Sequence, residues 1–235
     1  MSSVRRRHES LVKGRARLAA ILDRLHDDYA GLGTALRFDG TFQLLVATIL
    51  SAQCTDEQVN KVTPSLFAKY PDPDTFAGAD SVDIEKLIYA TGFFRNKTKN
   101  IQGAARTLIE RFDGIVPGTM AELITLPGVS RKTANVVLSH GFHRTEGIAV
   151  DTHVFRVSRR LDLSRAATPE RVELDLLKLT PPARWTEVAD TFISHGRRVC
   201  PARAPHCESC KILDLCPTGR RNLGIVNAGR AKSET

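Results

Sequence analysis

Four of the five cysteines, Cys200, Cys207, Cys210 and Cys216, fall within seventeen residues in the pattern C-x6-C-x2-C-x5-C. Loops this short can wrap one metal centre, with four thiolates converging on it. Disulfides are not expected without a secretory signal, and four unpaired thiols so close together would be prone to oxidation. Zinc and an iron–sulfur cluster both accept four cysteines, so the spacing alone does not choose between them. It matches neither of the common ferredoxin spacings, which gives no support to electron transfer. Cys54 lies in an apolar stretch and reads as a buried small hydrophobe.

A second group, Leu126-Pro127-Gly128-Val129-Ser130, is followed directly by Arg131 and Lys132. Pro and Gly allow a tight turn, and its amides, with the unsatisfied N–H groups of the next helix, suit a phosphate. Two cations in the first turn of a helix oppose the macrodipole. They make sense there if an anion docks, or if one is a lysine meant to lose its proton. Burial and a helix N-terminus both lower a lysine pKa, and the neutral amine is a nucleophile. The simpler reading is an ordinary helical hairpin with solvated charges. Further on, Asp151 precedes Thr152-His153 as a candidate helix cap.

The elements that must position these residues read as helices separated by Gly/Pro/Asp punctuation. Leu18, Ile21, Leu22 and Leu25 stripe a helix from Arg17 to Tyr29, and Phe42 to Ala52 suits a buried helix. Thr55 with Gln58 opens a helix toward Tyr70, ended by Pro71 and Pro73. Helices are expected from Asp80 to about Ala90, from about Lys97 to Phe112, and briefly from Thr119 to the Pro127-Gly128 stop. Ser130 caps one through Leu138 and Asp151 one through Arg160. Thr168-Pro169-Glu170 starts another, and the last covers roughly Arg184 to Arg198. Gly114–Val116 and Gly147–Val150 are β-branched but have no alternating partner, so they read as connections. The sequence predicts an all-α fold.

At 235 residues, with 42% hydrophobic and 26% charged residues, the chain has the composition of one large or two small globular domains. No apolar run approaches the 18 or so residues of a membrane span. The N-terminal residues carry arginines without an apolar h-region, so a secretory signal is not expected. A transit peptide shares that Arg-rich start, and a loosely ordered basic arm over residues 1–17 is the blander reading. The net charge of +8 makes a polyanion the first partner to consider. It comes from the ends: residues 1–17 carry +5, residues 195–221 carry +4 and the remainder of the tail +1, leaving −2 for the long middle. Binding on one face therefore requires the two ends to fold together, although charge runs are usually solvated faces.

Hairpin and cysteine loop together resemble the endonuclease III family of DNA-repair glycosylases. The resemblance runs through Leu126–Ala134, the helix-hairpin-helix signature with its catalytic lysine. It continues in Val150-Asp151-Thr152-His153, Leu50-Ser51-Ala52-Gln53, Gly92-Phe93 and the cysteine spacing, and spans roughly residues 18–220. It implies two helical domains. One is a six-helix barrel over about 35–145 with the hairpin motif at about 119–140. The other is a [4Fe–4S] domain from 18–34 plus 146–220, with 221–235 as a tail. The active site would lie in the cleft between them.

The implied activity is that of a bifunctional DNA glycosylase and AP lyase of base excision repair. Lys132 would attack C1′ of a flipped, oxidised pyrimidine nucleotide, and the resulting Schiff base would break the strand 3′ to the lesion by β-elimination. Asp151 would help to activate the lysine and to stabilise positive charge on the sugar. Cys200, Cys207, Cys210 and Cys216 would hold the cluster. Gln53 and Phe93 match the family's lesion-probing residues, and Gly128, Ser130, Arg131 and Arg203 would contact DNA. On helical spacing alone Phe93-Phe94 reads as plain core, and His153 as a pocket residue or a packed histidine. Adenine-excising relatives lack a lysine at the position of Lys132 and do not cleave the strand. Ser130 stands where the family most often has glycine. The loop between Cys200 and Cys207 is poorer in basic residues than usual, offering Arg203 and His206. The expected partner is duplex DNA with a damaged base or abasic site, bound by a cytoplasmic, nucleoid-associated monomer. The alternatives are a monofunctional glycosylase and a silent helix-hairpin-helix DNA-binding protein with zinc.

Overall fold

The computed structural model describes residues 10–225; Arg5, Arg6 and Arg7 of the basic arm and the tail beyond Ile225 lie outside the described residues. All regular structure among the described residues is helical, and the chain divides into two compact units. No described helix is long and apolar enough to cross a membrane.

One unit is Gly33–Ala149. Its centre is α2 (Gly40–Leu50), in which seven consecutive residues from Leu44 to Leu50 are buried, the pattern of a helix covered on all sides. Around it lie α3 (Asp56–Lys69), α5 (Ser81–Ile88), α6 (Phe94–Phe112) and α8 (Arg131–Gly141). Two short helices complete it, α4 (Pro73–Gly78) and α7 (Met120–Leu123). Helix α4 packs on α6 and was not foreseen, although Asp72-Pro73-Asp74-Thr75 carries its signal: a reciprocal capping box with Pro at the first turn. Phe76, fully buried, holds it there between Phe42 and Tyr70, with ring centroids 5.6 and 5.4 Å away. Thr55, Thr119 and Ser130 each accept the amide three residues on, as the caps of α3, α7 and α8. Cys54 is half-buried at the edge of this core rather than inside it.

The other unit joins the chain on either side, through Leu32 and from Val150 onward. It contains α1 (Leu11–Tyr29), α9 (Thr152–Arg160), α10 (Pro169–Leu179), α11 (Trp185–Arg198) and the short α12 (Pro217–Asn222). Helix α1 starts six residues before Arg17, capped by Ser10, so residues 11–17 are helix and not arm. Its buried face continues back from Leu18 through Gly14, which has no side chain to mark the stripe. Helices α1 and α9 pack on α11. Arg17 donates to the carbonyls of Leu161, Asp162 and Leu215, tying the start of the chain to its last helices.

Phe76→Ala should cost about 3–5 kcal/mol, because it empties a fully buried aromatic site. Urea unfolding monitored by circular dichroism checks this, and a loss below about 1 kcal/mol would mean that α4 is dispensable to the core.

Candidate active site

In the first unit the hairpin is set by α6. Gly128 has φ +77°, and a Cβ there would stand 2.7 Å from Cβ of Asn100 on α6, so only glycine fits. One turn further along α6, a Cβ at Gly103 would stand 3.1 Å from Cγ of Pro127. The Val129 amide closes the turn on the Leu126 carbonyl at 3.1 Å. Ser130 accepts from the Thr133 amide at 3.2 Å, and its hydroxyl meets the Thr133 hydroxyl at 3.1 Å. It therefore caps α8 with the hydroxyl that a glycine would lack. Lys132 is exposed on the first turn of α8, so the burial considered for it from sequence is not supplied by this unit.

Gln53 and Phe93 are in the same unit, and both have left-handed backbone, φ +53° and +48°. Non-glycine residues rarely sit there, and such strain clusters at functional sites. Phe93 is 67% exposed, which overturns the core reading for this residue. The turn at Gly92 (φ +68°) and Phe93 breaks the helical phase on which that reading relied. Only Phe94, the first residue of α6, packs against the core, its ring 4.9 Å from that of Tyr89.

In the second unit Asp151 caps α9. Its Oδ1 accepts the amides of both His153 and Val154 at 2.8 Å, and Oδ2 receives no donor among the described residues. One oxygen thus holds the helix while the other is available. His153 is half-buried with Nδ1 3.0 Å from the Arg156 guanidinium, and burial pushes its pKa down. Packing accounts for it.

All four clustered cysteines line one cavity, walled by Val157, Leu161, Ile212 and Leu213. Burial pushes the thiols of Cys210 and Cys216 up, so a bound cation would have to favour their thiolates. No three His, Cys, Asp or Glu among the described residues are placed to hold a single metal ion. Sulfurs spread around a cavity suit a polynuclear centre better than one zinc at about 2.3 Å from each. Arg160, at the end of α9, donates to Cys200 Sγ at 3.1 Å and to the carbonyls of Cys200, Pro201 and Ala202. Arg156 adds bonds to the Cys200 and Gly196 carbonyls. Sequence reading missed both, since arginines along a short helix carry no signal for such a latch. Arg203 is exposed in the loop they hold.

Residues 46–182 match the HhH-GPD superfamily of base excision DNA repair proteins. The chain is 53% identical to the endonuclease III of Synechocystis sp. over 220 residues, 94% of this chain and 99% of that one. The chain belongs to the endonuclease III family. Two solved structures of that family, a non-covalent endonuclease III–DNA complex and a trapped endonuclease III–DNA covalent intermediate, each superpose with a TM-score of 0.85. Each is 40% identical and covers 89% of this chain and 98% of the other. The superfamily match includes the hairpin, Lys132 and Asp151, and ends before the cysteine loop. For this member of the endonuclease III family the hairpin turn has no steric slack. Gly128→Ala should lose about 1–3 kcal/mol of stability, from left-handed strain and the displaced Asn100. An unchanged urea midpoint would show that the turn adapts.

Proposed function

We propose that Lys132 and Asp151 carry the chemistry of a bifunctional DNA glycosylase and AP lyase acting on oxidised pyrimidines and abasic sites in duplex DNA. The observation that carries this reading is a lysine exposed on the first turn after the hairpin, in a chain of the endonuclease III family. In this reading the damaged nucleotide leaves the stack, and Nζ of Lys132 attacks C1′ with its lone pair. The C1′–base bond breaks, and the base departs with that electron pair and takes up a proton. Opening of the sugar ring at O4′ gives the Schiff base between C1′ and Lys132. Loss of a C2′ proton then expels the 3′ phosphate, which cuts the strand, and water releases the lysine.

Asp151 would assist the lysine's deprotonation with its uncapped oxygen and face the positive charge on the sugar. Gly128, Ser130 and Arg131 would bind backbone phosphate at the hairpin, with Arg203 adding a contact from the cysteine loop. Gln53 would fill the gap left by the flipped nucleotide and Phe93 would wedge beside it. Their strained, exposed placement supports that assignment. In this reading the protein works as a monomer in the cytoplasm, at the nucleoid.

Cys200, Cys207, Cys210 and Cys216 would hold a [4Fe–4S] cluster. The shared cavity and the Arg160 guanidinium against Cys200 Sγ support a negatively charged, sulfide-bridged centre. When bound, the cluster supplies a rigid knot that holds the loop of Arg203, and no step of base removal is assigned to it.

Lys132→Gln should bind abasic duplex but form no borohydride-trapped adduct and cut no strand; retained cutting would refute the nucleophile. Protein purified without oxygen should be yellow-brown and contain about four iron atoms per chain. A colourless protein with stoichiometric zinc would overturn the cluster assignment.

A further inference from the structure

Lys97 has no place in the reaction above, yet it is the most unusual lysine in the chain. It is only 4% exposed, near the start of α6, on the stripe it shares with Ile101, Ala104, Ala105 and Leu108. Its backbone amide donates to the Phe93 carbonyl at 3.0 Å. Its Nζ turns back and donates to the Thr91 carbonyl at 2.8 Å. Thr91 is itself buried, with its hydroxyl bonded to the Ile88 carbonyl at 2.8 Å. One residue therefore brackets Gly92 and Phe93, two consecutive positions of positive φ. Such a turn persists only where its surroundings over-determine it, and a charge-assisted bond to a buried carbonyl does that better than an apolar contact. Cys54, the residue after Gln53, lies within electrostatic range of the same ammonium, whose pKa burial pushes down.

We infer that Lys97 is a positioning residue for lesion probing: it clamps the Gly92–Phe93 turn, so that the wedge side chain is presented in a fixed conformation. The inference rests on the proposed role of Phe93. It gives Lys97 no contact with substrate. Its effect is to keep an exposed aromatic side chain in a strained, ready conformation before DNA arrives.

Stopped-flow fluorescence tests it, with the holoenzyme at saturating concentration and 2-aminopurine opposite a tetrahydrofuran abasic analogue in a duplex. The wild type should give a rise as the gap is filled, and Phe93→Ala should lose most of it. Lys97→Met should respond about tenfold more slowly, the effect of losing one bond from a charged donor. Lys97→Arg, which keeps a charged donor, should stay within about threefold of wild type. Melting temperatures are recorded for each variant, because a variant that was merely less stable would still respond at the wild-type rate below its transition. If Lys97→Met does not fold, Lys97→Gln takes its place. A wild-type response from Phe93→Ala would overturn the wedge reading and the inference with it. A wild-type rate from Lys97→Met beside an impaired Phe93→Ala would overturn the inference alone. Equal losses in Lys97→Met and Lys97→Arg would overturn the role given to the charged donor.

Discussion

The close approach of α6 to the hairpin is the constraint on which the first unit depends. Where Asn100 and Gly103 face Gly128 and Pro127 there is no room for another carbon atom without something moving. That contact fixes the turn and, through it, the direction in which α8 starts and Lys132 projects. The same helix begins at the strained turn that exposes Phe93. A single rigid element thus sets the mounts of both the proposed nucleophile and the proposed wedge, and their relative position does not rely on a flexible loop. Close packing turns a backbone conformation into a functional coordinate.

The second unit solves a different problem, since its cysteine loop has little regular structure to hold it. Arginines do the holding. Arg156 and Arg160 give their donors to carbonyls and a sulfur of the loop, and Arg17 serves the chain ends in the same way. Lys211 and Arg24 pair with Asp28 and Asp214 across the same unit. Some of the positive charge that suggested a polyanion is therefore used inside the protein. These side chains keep their charge but have fewer donors left for phosphate, whereas Arg203 is exposed.

Much of this was legible in the residues. Side-chain caps at Thr55, Ser130, Asp151 and Thr168 start helices where expected, because each places an oxygen over amides that have no other partner. The cysteine spacing marked a candidate metal centre and the hairpin a candidate phosphate site, and the family match includes the hairpin. The failures have specific causes. The first helix was cut short because Gly14 carries no apolar side chain. Phe93 looked like core because helical spacing assumes a continuous helix, and two left-handed residues interrupt it. Lys97 was taken as a helix start, although its four-residue spacing from Ile101 put a lysine on a buried face. Long-range partnerships such as that of Arg160 with the cysteine loop leave no local pattern at all.

On the proposed reading Asp151 divides its labour by atom: one oxygen secures the first turn of α9, and the other is left for chemistry. Losing the side chain therefore removes a helix cap, at about 1 kcal/mol, together with the proposed reactive group. A loss of that size lowers the standing amount of a protein in the cell through faster triage of its unfolded fraction. On the same reading, a damaged gene copy that lost this carboxylate would make a chain both inactive and scarcer. Few such inert molecules would then accumulate on broken bases and hide them from other repair.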